Sequence, residues 1–183
     1  MTGFTVPLLF PYPQPTDPAD TPAQIQALAE AVDAEMTDTE TQLSAITDPP
    51  IAWIRAGTQV IPPAAGTLIL FNQEAFDNAN MVDLVTDPYS ITIRSNGLYM
   101  ISCEGSLEAN GVGGRQLELL VNGVVVGLQA SGPPTTAPFG WSAEAAVMRS
   151  CVVGDKVQFR IGHTAAFSIS TTGCEAQVFR VSV

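Results

Sequence analysis

Two different periods of apolar positions divide the chain. Between residues 23 and 46, apolar side chains fall at Ile25, Leu28, Val32, Met36, Leu43 and Ile46, in steps of 3, 4, 4, 7 and 3. This is helical spacing with a narrow stripe, as in the seam of a helix bundle; a helix lying on its own globular core shows a broader face. The 11-residue step from Ile25 to Met36 departs from strict heptads and predicts a nearly straight bundle. Thr21 suits an N-cap, Pro22 suits the first helical position, and Gln24 lies three residues past the cap. Pro49 and Pro50 end the helix.

From residue 51 the period becomes two. Ile91 alternates with Ile93, and Tyr99 with Ile101, Cys103, Gly105 and Leu107. Trp141 alternates with Ala143, Ala145 and Val147, and Val157 with Phe159 and Ile161. Asn122-Gly123 inside "RQLELLVNGVVVG" is a two-residue hairpin signal. Gly and Pro punctuate these runs and no helical pattern interrupts them, which predicts an antiparallel sandwich or jelly roll.

Ahead of the helix the chain has neither period. Pro7, Pro11, Pro13, Pro15, Pro18 and Pro22 exclude a helix or a central strand and favour extended conformations. Phe4, Val6, Leu8, Leu9, Phe10 and Tyr12 surround Pro7 and Pro11, an apolar set that would be wasted on a free linker. The expected organisation is an extended anchoring arm over 1–22, a helical neck over 23–48 and a β-rich head over 51–183.

Composition narrows the function. The net charge of −11 is borne mostly by the first fifty residues, and it excludes nucleic acid and anionic membranes as partners. No apolar run approaches the roughly 18 residues of a membrane span, so membrane insertion is not expected. The first residues lack a basic segment and their apolar stretch is cut by prolines, so synthesis in a cytoplasm without a signal peptide is expected. Cys103, Cys151 and Cys174 are widely spaced and without a CxxC pair, which suits buried reduced thiols.

Nothing in the chain has the spacing of a catalyst. His163 is the single histidine and belongs to no HxH or HExxH pattern, and no GxSxG context exists for a nucleophile. Glycines at 110–114 are not followed by a helix or a lysine, so they form a turn and not a phosphate cradle. The acidic stretch holding Glu74, Asp77, Asn78, Asn80, Asp83 and Asp87 offers oxygen ligands of the kind calcium takes, without EF-hand spacing. Calcium is therefore the one candidate cofactor, and acidic loops that bind no metal are the commoner case. The aromatic positions read as core or subunit-interface filling more readily than as a sugar platform. The loop 130–140, with Phe139 among small and polar residues, suits the surface of the head.

Two stretches resemble known families. "LVTDPYSITIRSNGLYMIS", "RQLELLVNGVVV" and "GDKVQFRI" resemble, in order and spacing, the C1q/TNF-like jelly-roll domain. Leu84, Gly97 and Tyr99 fit that pattern, while Ile91 stands where Phe is usual and Ile101 where an aromatic is common. The resemblance implies a ten-stranded sandwich that assembles as a compact homotrimer, often on a stalk, and no ligand residue is carried over from it. "LLFPYPQPTDPADTPAQIQALAEAVDAEM" resembles the leader of minor tail and head-fibre proteins from phages of actinobacteria. Together they imply a non-enzymatic virion protein with a trimeric neck. Its arm would be held by other virion proteins and its head exposed for host attachment, with a host cell-surface glycan as candidate ligand. The alternatives are a capsid fibre or decoration protein, and a carbohydrate- or peptide-binding module.

Overall fold

The computed structural model describes residues 21–126, 130–135 and 140–182. The chain divides into two units, 1–48 and 49–183. In the first, helix α1 (Thr21–Thr47) begins at the predicted cap and stops before the Pro49-Pro50 pair. Its surface is stitched by i,i+4 bonds: Gln26 Nε2 donates to Glu30 at 2.8 Å and Gln42 Nε2 to Asp38 at 2.7 Å. Such pairs each stabilise a helix by only about 0.2–0.5 kcal/mol, so the exposed apolar stripe matters more to its fate.

The second unit is all β. In chain order its strands are β1 (Ile51–Ala56), β2 (Val60–Ile61), β3 (Gly66–Leu68), β4 (Gln73–Asp77), β5 (Val82–Asp83), β6 (Asp87–Thr92) and β7 (Gly97–Leu107). There follow β8 (Arg115–Val121), β9 (Val124–Val125), β10 (Ala130–Gly132), β11 (Trp141–Cys151), β12 (Lys156–His163) and β13 (Ile169–Ser182). They form two antiparallel sheets. The first runs β11-β7-β13-β1-β4, with β2 on β13; the second runs β10-β8-β12-β6-β5, with β3 on β12 and β9 on β8. The described residues thus carry thirteen strand segments where the resemblance implies ten. The surplus reflects short pieces such as β2, β5 and β9, each of two residues.

Alternation decides which side chains meet between the sheets. Tyr99, Ile101, Cys103 and Leu107 of β7 face Leu117 and Leu119 of β8 and Val157, Phe159 and Ile161 of β12 in one core, all with no measurable exposure. Ile91 and Ile93 are equally buried, and Leu84 packs half-buried against the same cluster. The Tyr99 phenol donates to the Ser95 carbonyl at 2.9 Å, so its burial leaves no orphan hydroxyl. Phe71 and Phe159 meet edge to face, with ring centroids 6.0 Å apart at 81°. The β8–β9 turn has φ of 52° at Asn122 and 77° at Gly123, the positive pair a type I′ hairpin requires. Asp155 ties this turn to the next, accepting from Asn122 Nδ2 at 2.8 Å and from the Val152 amide at 2.9 Å.

Phe159→Ala removes a fully buried ring and leaves Phe71 without its edge-to-face contact. The expected loss is about 3–5 kcal/mol of head stability, read as a fall in the denaturant midpoint at unchanged slope. A loss below about 1 kcal/mol would contradict this placement of the core.

Candidate functional site: an apolar sheet face and a polar cleft

Turning alternate side chains inward leaves the other set of the first sheet facing out, and this set is unusually apolar. Register aligns Ile51, Phe179, Met100 and Met148 in one row across β1, β13, β7 and β11. Beside it, Phe76, Trp53, Gln177, Ser102 and Ala146 form a second row across β4, β1, β13, β7 and β11. Phe76, Phe179 and Met148 are exposed, and Ile51, Trp53 and Met100 are half-buried. Single exposed apolar residues are ordinary, whereas a contiguous patch of this kind marks an interaction surface.

A charged row borders the patch. Arg55, Glu175, Glu104 and Glu144 lie opposite one another across β1, β13, β7 and β11. Arg55 covers the Trp53 ring at 4.5 Å and its Nε donates to Glu175 at 2.9 Å, while the Ser142 hydroxyl donates to Glu104 at 3.1 Å. Trp53 Nε1 is buried and finds no acceptor among the described residues. An apolar centre with a polar border is the anatomy of a protein–protein interface.

The helix presents a comparable stripe. Ile25, Leu28, Val32, Met36 and Leu43 are all exposed. Ile46 lies in the helix with its side chain outside the described residues, and the arm residues Phe4, Val6, Pro7, Leu8, Leu9, Phe10 and Tyr12 lie outside them altogether.

The acidic stretch is occupied by its own backbone. Asp77 accepts from the amides of Ala79 at 3.1 Å and Val82 at 2.8 Å, and the Asn78 side-chain Oδ1 accepts from the Ile51 amide at 2.8 Å. Asp83 accepts from the Thr86 hydroxyl and from the amides of Thr86 and Val85, bonds that hold its pKa below the ordinary carboxylate value. Asp87 is likewise lowered, by Lys156 at 2.5 Å and then by Ser90. Glu74 stays exposed on β4. Among the described residues, no group of three or more acidic, His or Cys side chains is arranged to hold a metal.

The second sheet differs on its outer face. With Leu117 and Leu119 turned inward, Gln116 and Glu118 of β8 point out; with Phe159 and Ile161 inward, Arg160 and Gly162 of β12 point out. A cleft of about 450 Å³ opens here, reaching from β3 across β12 and β8 to β10. Glu118 is almost fully buried and pairs with both the Arg160 guanidinium and the Gln116 amide. Loop 110–114 borders the cleft and is wound around a buried cation. Arg115 Nη1 donates to the carbonyls of Val112 at 2.9 Å, Gly113 at 3.0 Å and Gly114 at 3.2 Å, and Nη2 donates to Asn110 at 2.9 Å. Burial draws the Arg115 pKa below the ordinary arginine value, and the ring of carbonyls is what retains the charge. The sequence signal for this loop is its glycines; the arginine that organises it reads as one more polar residue.

Sequence reasoning missed Ile51, Phe76, Met100 and Met148 as a face, and Gln116, Glu118 and Arg160 as a cleft. The apolar residues at the out-facing parity of β7 and β11 were the available signal for the first. Pairing of Glu118 with Arg160, 42 positions apart, has no signal in the sequence.

No family model matches the chain, and no curated protein matches it in sequence. Solved structures share its fold. Vertex protein P5 of phage PRD1 superposes with a TM-score of 0.55 at 12% identity, covering 73% of this chain and 97% of that one. Murine APRIL gives 0.53 at 10% identity, over 73% of this chain and 100% of that one. The globular domain of zebrafish complement 1qA protein gives 0.52 at 13% identity, over 72% and 97%. The β unit shares the jelly-roll fold of these structures.

Cys103, Cys151 and Cys174 are free and buried, and burial raises each thiol pKa, that of Cys174 to about 11. No thiol should therefore react with an aromatic disulfide reagent at pH 8 in the native protein, and all three should react in denaturant. Rapid native labelling of even one would contradict the placement of these strands.

Proposed function

We propose that the chain is a non-enzymatic structural component of a phage virion, a homotrimer whose arm anchors it, whose helices form a neck and whose jelly-roll head faces outward. The observation that carries this reading is the apolar outer face of the first sheet, centred on Trp53, Phe76, Met100, Met148 and Phe179. A face with an orphan indole donor and a charged border asks for a protein partner. A second copy of the same chain supplies one at no cost in specificity, and a heterologous contact between copies closes into a ring at three. The exposed stripe of α1 supports the same stoichiometry, since a narrow seam on one helix is stable only when shared with others.

The virion assignment is supported by the phage-like leader sequence and by the similarity of the head to vertex protein P5 of phage PRD1. A tail or fibre appendage is the favoured position. The vertex protein among the structural neighbours favours the second reading, a decoration or fibre on the capsid surface. In either position the head is free to meet the host. Among the described residues no helix is long and apolar enough to cross a membrane.

Light scattering of the purified chain should give a mass three times the 19.2 kDa of one subunit. Met100→Asp with Phe179→Asp places two unpaired carboxylates per subunit in the contact, at several kcal/mol each by order of magnitude, and should yield monomers that retain the β spectrum. A wild-type monomer at micromolar concentration would overturn the reading. Leu28→Asp with Val32→Asp should abolish the helical signal of residues 21–47 while leaving the head folded; unchanged helicity would remove the neck. Labelling of intact particles in electron microscopy separates tail from capsid.

A further inference from the structure

We infer that the cleft on the outer face of the second sheet is a binding site for a neutral saccharide. Its size is the first reason. At about 450 Å³ it lies within the roughly 300–1,000 Å³ of small-molecule sites, with room for a mono- or disaccharide.

The chemistry of the wall is the second. Glu118 neutralises Arg160, so the cleft offers no bare cation to attract a phosphate or a carboxylate. Arg115 is buried and turns its terminal nitrogens to four loop carbonyls, so its charge is directed into the loop and away from the cleft, although its Nε finds no partner among the described residues. What remains open is a mixture of donors and acceptors. Among the described residues, Arg160 Nη1, the Gln116 side-chain Oε1 and the Ser131 hydroxyl make no hydrogen bond, and the Thr164 hydroxyl, which accepts from the Gly114 amide at 2.8 Å, keeps its own proton to donate. Planar amide and guanidinium groups held by a buried carboxylate are pre-oriented to bridge vicinal hydroxyls, and they are rigid before the ligand arrives.

The floor is the third reason. Gly66 of β3 and Gly162 of β12 are direct partners, and a Cβ on Gly162 would sit 2.9 Å from the Ala65 carbonyl oxygen. A Cβ on Gly132 would sit 2.6 Å from Trp141 Nε1. A Cβ on Gly66 would sit 2.9 Å from Arg160 Cδ, so the Arg160 stem lies against this strand and close packing dictates all three glycines, which keeps the floor of the cleft free of side chains of its own. Among the described residues no Phe, Tyr or Trp and no branched aliphatic side chain lines the cleft, so they offer neither a nucleobase nor an apolar peptide side chain a platform. The one ring among the described lining residues, the His163 imidazole, is buried, so one cleft binds weakly and its use comes from repetition. The inference rests on the proposed trimer for that multiplication alone, since the cleft belongs to the sheet that the assembly face does not use.

Gly114 supplies the test, because a Cβ there meets nothing nearer than 3.8 Å and points toward the Gly132 carbonyl and Thr164. The full chain, labelled with nitrogen-15, is titrated with glucose, galactose, mannose and N-acetylglucosamine, and separately with inorganic phosphate and N-acetylneuraminic acid. The amides of Gly66, Gly114, Gly132 and Gly162 should shift with at least one neutral sugar, at a dissociation constant of order 1 mM. Gly114→Phe fills the cleft and Gln116→Ala removes one polar arm; each should weaken binding at least about tenfold, the worth of one well-made polar contact. The Gln116→Ala result carries the same expectation should Gly114→Phe fail to fold. Absence of glycine shifts with all four neutral sugars, preference for either anion, or binding unchanged in both variants would overturn the assignment. Sedimentation of the same samples keeps the two proposals apart: a trimer that ignores sugars sinks the cleft alone, and a monomer that binds them sinks the trimer alone.

Discussion

Each of the two sheets must hide one face, and the rest of the head follows from how that is done. Strands β7 and β13 are the spine of the first sheet, paired from Ser182↔Leu98 to Thr171↔Leu107 with shifts only near the two ends. Their inward residues, Tyr99, Ile101, Cys103, Ala176 and Val178, have almost no exposure. A slip of one residue would exchange these for Met100, Ser102, Gln177 and Phe179, so register is strongly specified. Once the core is satisfied by one parity, the other parity of each strand is released from folding. What occupies it reflects the molecule's dealings with other matter.

The two released faces are unlike. On the first sheet, aromatic and thioether side chains gather at the centre and an arginine and three glutamates stand along one border. Three glutamates in direct register repel one another across the strands, a cost folding does not require. On the second sheet, glycines and an ion pair replace large apolar groups, and the surface is indented where the first is filled. An apolar face and a polar hollow on opposite sheets suit a protein that contacts its own kind on one side and something hydrated on the other.

Helix α1 obeys the same economy at lower energy. A single α1 gains little from its side-chain pairs, and its apolar stripe remains exposed along the helix. Bringing several such stripes together buries what one cannot, and weak local elements become stable through multiplicity. The carboxylates of the 77–87 region work locally, capping backbone amides and tightening turns. These bonds give the carboxylates a structural use.

Alternation at Ile91 and Ile93, along β7 and along β12, together with the Asn122-Gly123 turn, was enough to read a β sandwich and most of its core from sequence. The helix and its bounding prolines were equally readable, because those signals are local and each residue carries its own. Shorter strands such as β2, β3, β5 and β10 escaped notice, since two or three residues make no period and exist only because a long neighbour offers hydrogen bonds. The apolar row of Ile51, Phe179, Met100 and Met148 draws on four strands spread over almost the whole head, and Glu118 meets Arg160 only through the β8–β12 register. Periodicity along the chain tells each strand which side to hide. Which residues become neighbours across strands is settled by pairing between distant segments, and no single segment contains that information.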